Sequence, residues 1–158
     1  MVRINYLGYM IENFTIKGCT PSHLEEYGKI YAEAFGGEPW NDHWSVEDAT
    51  VHVKELLDSP ACYGLEYLVD GEVAGFILGT SMLFSYGRTF EINDLAVAPA
   101  FQGKGIGTLL MERMLSDLRG KDIKAVHLIT FGEGNLQTFY AKFGFRKEDM
   151  VVLMGADL

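Results

Sequence analysis

The sequence predicts an α/β (α+β) fold: one domain built on a central mixed sheet with helices on its faces. Three observations lead there. Strand-like and helix-like stretches follow one another as β-α-α-β-β-β-α-β-α-β, mixed but not strictly alternating, which argues against a doubly wound parallel sheet. The 158 residues fit one domain and can bury a core without disulfides or metal. The balance of 48% hydrophobic and 22% charged residues is that of a globular chain, with no repeat, linker or low-complexity block.

Each element has a local reason. Phe14–Gly18 reads as a short first strand. Thr20-Pro21 supplies an N-cap and a proline at the first helical position, opening a helix to about Phe35. Leu24, Tyr27, Ile30, Tyr31 and Ala34 fall on one face of it. Gly36-Gly37-Glu38-Pro39 stops it. Ser45-Val46-Glu47-Asp48 resembles a capping box with Asp for Glu, and begins a second helix to about Asp58. Gly64–Val69 and Glu72–Leu83 form a hairpin around Asp70-Gly71. Gly75 and Gly79 inside the second arm suggest bulges or a close backbone approach. Thr89–Val97 is a fourth strand and Gly105–Arg119 a third helix. Ala125–Thr130 is a fifth strand, Leu136–Phe143 a short helix, and Lys147–Met154 a last strand.

Net charge is −9, which disfavours a nucleic-acid phosphate backbone and favours a cationic molecule, besides keeping the surface solvated. Two cysteines, Cys19 and Cys62, suit neither a zinc site nor a disulfide scaffold. No continuous apolar leader opens the chain, and no apolar run reaches the roughly 20 residues of a membrane helix. A cytoplasmic protein without a membrane partner is the expectation. The four histidines lack metal-ligand spacing, so no metal is expected. No G-x-S-x-G elbow is present, which disfavours a serine hydrolase.

The informative segment runs from Ala96 to Thr108. A strand ends, a loop turns, and a helix begins among Gly103, Gly105 and Gly107. The first amides of a helix lack internal acceptors, the helix dipole adds positive potential, and glycines let an anion approach closely. Together they make a pyrophosphate site, to which Lys104 adds charge. Neither the Rossmann G-x-G-x-x-G nor the P-loop pattern fits.

Gln102-x-x-Gly105-x-Gly107 is similar to the Q/R-x-x-G-x-G/A signature of the GNAT superfamily of N-acetyltransferases. The preceding Ile92–Val97 strand and the downstream Asn135–Phe145 segment, which reads N-x-x-x-x-Y-x-x-x-G-F and resembles the family's downstream segment, extend the resemblance over about residues 14–154. It leaves residues 1–13 unexplained. The resemblance implies a single N-acetyltransferase domain spanning 1–158. Its sheet would be largely antiparallel and six- to seven-stranded, flanked by about four helices and splayed between strands four and five. It implies acetyl-CoA as co-substrate. The pyrophosphate would lie on the backbone of Gln102, Gly103, Lys104, Gly105, Ile106, Gly107 and Thr108. The pantetheine arm would pair with Leu95, Ala96 and Val97, and Asn135 would contact it near the thioester. A homodimer is a further expectation, since many members dimerise.

Acetyl transfer from a thioester to an amine needs a deprotonated amine, donors for the oxyanion and a proton for the leaving thiolate. By resemblance Tyr140 is the acid. Glu91 is the candidate base, directly or through a water, because its strand parity matches Asn93, Leu95 and Val97 unless a bulge intervenes. Asp94, of opposite parity, is the rival. The acceptor pocket is expected between strands one and two, where Glu38, Trp40, Asp42 and Trp44 combine aromatic faces with carboxylates that suit a cationic amine. Both tryptophans could equally serve to pin the helices. The expected acceptor is a small cationic primary amine: polyamine, aminoglycoside-like or amino-acid-derived. The alternatives are a peptide amine, or an acyl-CoA-binding module that transfers nothing.

Overall fold

The computed structural model describes residues 3–4, 10–11, 13–132 and 134–158. Most of the stretch that the family resemblance leaves unexplained lies outside them. Two compact units are present, Met1–Leu128 and Ile129–Leu158.

The first unit holds a five-stranded sheet of β1 (Phe14–Gly18), β2 (Cys62–Val69), β3 (Glu72–Phe84), β4 (Gly87–Val97) and β5 (Ile123–Leu128), in that spatial order. The first three pairings are antiparallel, and β4 with β5 is parallel. Two-residue strands at Arg3–Ile4 and Met10–Ile11 form a separate ribbon. The expected sheet of six to seven strands is therefore a sheet of five, among the described residues. The missing member is the last strand expected over Lys147–Met154. Residues 151–158 carry no regular structure, and Val151, Val152, Leu153 and Met154 are 74–85% exposed. Their β-propensity finds no partner strand, and a strand without a ladder has nothing to satisfy its backbone.

Helices α1 (Leu24–Phe35), α2 (Val46–Leu57) and α3 (Ile106–Arg119) belong to the same unit. A 3-10 turn at Pro21–His23 precedes α1, so the α-helix proper begins later than the Thr20-Pro21 signal. The Ser45 cap forms as expected: its Oγ accepts from Asp48 N at 3.0 Å and donates to Asp48 Oδ2 at 2.7 Å. Asp70 and Gly71 turn the β2–β3 hairpin with φ of +50° and +88°, the left-handed pair that such a turn demands.

The helices cover opposite faces. Tyr27, Ile30 and Tyr31 of α1 and Ala49 and Val53 of α2 pack with Phe76, Leu78 and Ala96 from β3 and β4. Ile106, Leu110, Met111, Met114 and Leu118 form the buried side of α3. Each fully buried aliphatic or aromatic side chain of this kind contributes about 1.5–3 kcal/mol.

Gly79 shows why the second hairpin arm carries glycines. A Cβ there would sit 2.3 Å from the Glu91 carbonyl oxygen and 2.3 Å from the Phe90 ring. At this point the β3–β4 register slips: Leu78 faces Asp94, Gly79 faces Ile92, and Asn93 is left over. This bulge decides the geometry of the site.

In the second unit, α4 (Asn135–Ala141) ends in a turn at Gly144 with φ +87°.

Candidate active site

The glycine turn and β4 build one half of the site. The parallel β4–β5 register runs from Arg88↔Ile123 to Ile92↔Leu128, where β5 ends. Among the described residues no strand pairs with 93–97 on that side. The sheet thus opens where the splay was expected, leaving a backbone edge at Leu95, Ala96 and Val97. An extended polar chain can hydrogen-bond to such an edge as an added strand would.

Directly after it, a 3-10 turn (Pro99–Phe101) leads to Gly103 and Gly105, with φ of +72° and +83°. Gln102 closes this turn: its Nε2 donates to Val97 O at 2.9 Å, and its own amide to Pro99 O at 3.3 Å. Lys104 Nζ donates to Ala100 O at 2.8 Å and lies over the Phe101 ring. The first bond into α3 runs from Leu109 N–H to Gly105 O, 3.0 Å, so the amides of Ile106, Gly107 and Thr108 precede the helix ladder. No side chain caps them. A Cβ at Gly103 or Gly105 would meet nothing within 4 Å. The glycines answer to backbone conformation and leave open space before uncapped amides. That arrangement fits a pyrophosphate.

The two candidate carboxylates of β4 lie on the α1–α2 face of the sheet. The Asn93 bulge resets the alternation of β4, so Glu91 shares a face with Asp94 and Ala96. The expected sharing with Leu95 and Val97 fails for this reason. Glu91 is 37% exposed at its side chain, with His127 Nε2 3.9 Å away on β5. Asp94 is 6% exposed and is held by His52 Nε2 at 2.9 Å and by Tyr31. Thr80 Oγ1 donates to Asn93 Oδ1, 3.1 Å.

An aromatic wall adjoins these carboxylates. Trp40 packs on Phe35 (5.4 Å), Phe35 on Tyr31 (4.4 Å), Tyr31 on Trp44 (5.2 Å) and Trp44 on His52 (5.4 Å). Trp44 Nε1 donates to Asp42 Oδ2 at 3.4 Å, while Glu38 and Asp42 are exposed. The structure thus joins Trp40 and Trp44 into one surface through Phe35 and Tyr31. Tyr31 and His52 escaped the sequence reading. Tyr31 read only as a core position, and His52 as one histidine among four. The signal that could have found them is helical: Tyr31 shares a face with Tyr27, and His52 adjoins the buried Val53.

Titration follows packing. Burial, then the charge and hydrogen bond of Asp94, raise the Tyr31 hydroxyl well above its ordinary range. The Asp94 hydrogen bond raises His52 above its ordinary value, against burial. Burial pushes the Cys19 thiol up to about 12 and raises that of Cys62, and both thiols are free. Thiols held protonated are poor nucleophiles.

In the second unit, Asn135 is the first residue of α4. Tyr140 is half-buried, its ring 5.1 Å from Phe139 and 5.9 Å from Phe145. Among the described residues no group of three or more His, Cys, Asp or Glu is arranged for a metal ion, and no helix is long and apolar enough to cross a membrane.

Residues 24–145 match the model of the acetyltransferase (GNAT) family. An uncharacterized N-acetyltransferase of Archaeoglobus fulgidus is 27% identical over 139 residues, covering 85% of this chain and 94% of its own. Other curated relatives are longer, the chain spanning 65% and 43% of two of them. A possible acetyltransferase from Clostridium difficile 630 has the same fold, with TM-score 0.81 at 19% identity over 93% of this chain and 99% of its own. An aminoglycoside acetyltransferase, HMB0005, from an uncultured soil metagenomic sample aligns with TM-score 0.69 at 20% identity, over 93% and 99%.

Proposed function

This chain belongs to the acetyltransferase (GNAT) family, and we propose that it acetylates a primary amine of a small cationic acceptor by direct attack, as a single domain over 1–158 with a core of about 14–154. The observation that carries the acetyl-CoA half is the open β4 edge at 93–97 running straight into uncapped amides at the start of α3. The acceptor half is supported by the Trp40–Phe35–Tyr31–Trp44 wall beside Glu91, Asp94 and Asp42, by the net charge of −9, and by a structural neighbour that is an aminoglycoside acetyltransferase.

Acetyl-CoA, when bound, supplies an activated thioester carbonyl. The chain's own residues do the rest. The amides of Gly103 to Thr108 hold the pyrophosphate, with Gln102 closing the turn behind them and Lys104 adding charge. The backbone of Leu95, Ala96 and Val97 holds the extended arm, and Asn135 steadies its reactive end. Glu38, Asp42, Trp40 and Trp44 gather the ammonium. Glu91, the more exposed of the two β4 carboxylates, takes its proton directly or through a water. Asp94 is sealed by its two partners and serves to fix them. Tyr140 donates a proton to the departing thiolate.

Tyr140→Phe tests this assignment. Steady-state turnover is expected to fall by roughly a hundredfold, while acetyl-CoA affinity measured by calorimetry stays the same. An unchanged kcat would remove Tyr140 from the acid role.

A further inference from the structure

His52 is placed so that only one of its ring nitrogens is committed. Its Nε2 lies 2.9 Å from Asp94 Oδ2. A carboxylate can only accept, so Nε2 carries a hydrogen, and in the neutral ring Nδ1 holds the lone pair. No hydrogen bond among the described residues occupies Nδ1, and Nδ1 is not one of the buried polar atoms left without a partner, so water reaches it. The ring is flanked by Tyr31 at 4.8 Å and Trp44 at 5.4 Å. Asp94, itself held by Tyr31, fixes the tautomer and the ring together. A lone pair is thus presented, oriented and wet, between two aromatic rings on the face that also carries Glu91.

We infer that His52 recognises the acceptor: its neutral Nδ1 accepts a hydrogen bond from the acceptor ammonium, with the Tyr31 and Trp44 rings beside it. The inference rests on the amine acetyltransferase reading above and names the contact that selects the acceptor and its pH dependence. Protonation removes the lone pair and sets a cation against a cation. Acceptor binding therefore weakens as pH falls through the His52 pKa. The groups acting on that pKa are Asp94 from β4 and Glu55 from α2, with burial opposing them, while the Tyr31 ring of α1 packs beside the imidazole. Asp48, one turn earlier on α2, is engaged by Ser45, and Asp42 acts on Tyr31. The Asp94 hydrogen bond dominates and raises it.

The first test is the acceptor KM of wild type and His52→Gln across pH 5.5 to 9, with spermidine and an aminoglycoside as acceptors. The glutamine amide can donate to Asp94 and offers an oxygen that does not titrate. Wild-type KM is expected to rise by about tenfold per pH unit below the His52 pKa, and the H52Q KM to lose that rise. His52→Phe is expected to raise KM by roughly tenfold or more at pH 8, with the acetyl-CoA KM unchanged. An H52Q profile that follows wild type would overturn the inference. So would a roughly hundredfold loss of kcat at unchanged KM, which is the mark of a proton-taking base.

The second test needs no turnover. The His52 imidazole is titrated by NMR in the coenzyme-free protein, alone and with spermidine or the aminoglycoside. Its midpoint is expected above 6.5, lower in Asp94→Asn, and lowered by amine that binds the neutral form. A midpoint that neither amine moves would overturn the inference. Failure of the acetyltransferase reading looks different: no amine would release thiol, whatever His52 does.

Discussion

Two carboxylates, Glu66 on β2 and Asp94 on β4, carry the same partners and serve different ends. Each takes a tyrosine from α1, Tyr27 for Glu66 and Tyr31 for Asp94, and the two tyrosines sit one helical turn apart. Each takes a histidine, His23 Nδ1 at 2.8 Å and His52 Nε2 at 2.9 Å. Glu66 is fully buried, and Lys17 Nζ adds a further contact 3.4 Å from its Oε1. Tyr27 in turn accepts from Thr20 N at 3.0 Å, which ties the start of α1 to the sheet. Asp94 lacks a lysine, and its histidine keeps a nitrogen open to water beside Trp44. The same chemistry is a clamp where the carboxylate is wholly buried, and a recognition site where its histidine keeps one atom available.

The comparison is broken most severely at Glu66. Glu66→Ala leaves a tyrosine hydroxyl, a histidine and a lysine around a buried hole, and is expected to cost about 3 kcal/mol or more. Urea unfolding reads this as a lower midpoint, with the kcat of the remaining folded protein unaffected. A midpoint near wild type would mean that the cluster is not a clamp. The paired substitutions Tyr27→Phe and Tyr31→Phe sharpen it. Tyr27→Phe strips Glu66 of a donor and Thr20 N of an acceptor, and should cost about 2 kcal/mol. Tyr31→Phe leaves Asp94 its histidine, should cost about 1 kcal/mol, and should raise the acceptor KM where Tyr27→Phe does not. Equal effects of the two on KM would erase the distinction.

The smallest effect is on stability against pH. The folded-state pKa of His52 is raised. The stabilisation from its pairing with Asp94 is therefore fully present below about 6.5, the unfolded value, and is lost as pH rises through the folded value. Asp94→Asn should lower the unfolding midpoint more at pH 5.5 than at pH 8.5. The reverse order would contradict the pairing.

Much of this was written in local chemistry. Thr20-Pro21, Ser45, Asp70-Gly71 and the glycines at 103 and 105 each demand one backbone geometry, and each takes it. What stayed hidden depends on partners distant in sequence. The Asn93 bulge is set by β3, 14 to 15 residues away at Gly79 and Leu78, and it alone puts Glu91 and Asp94 on one face. His52 gains its role from a carboxylate 42 residues on. The apolar run at 151–154 looked like a strand because propensity is local, whereas pairing is not.

The central claim is acetyl transfer to a cationic amine, and the direct test is thiol release from acetyl-CoA with polyamines, aminoglycosides, amino-acid amines and a basic peptide, with the product identified by mass spectrometry. The account predicts release with small cationic primary amines and an N-acetylated product. Release with the peptide alone, or coenzyme binding without release for every small amine, would contradict it.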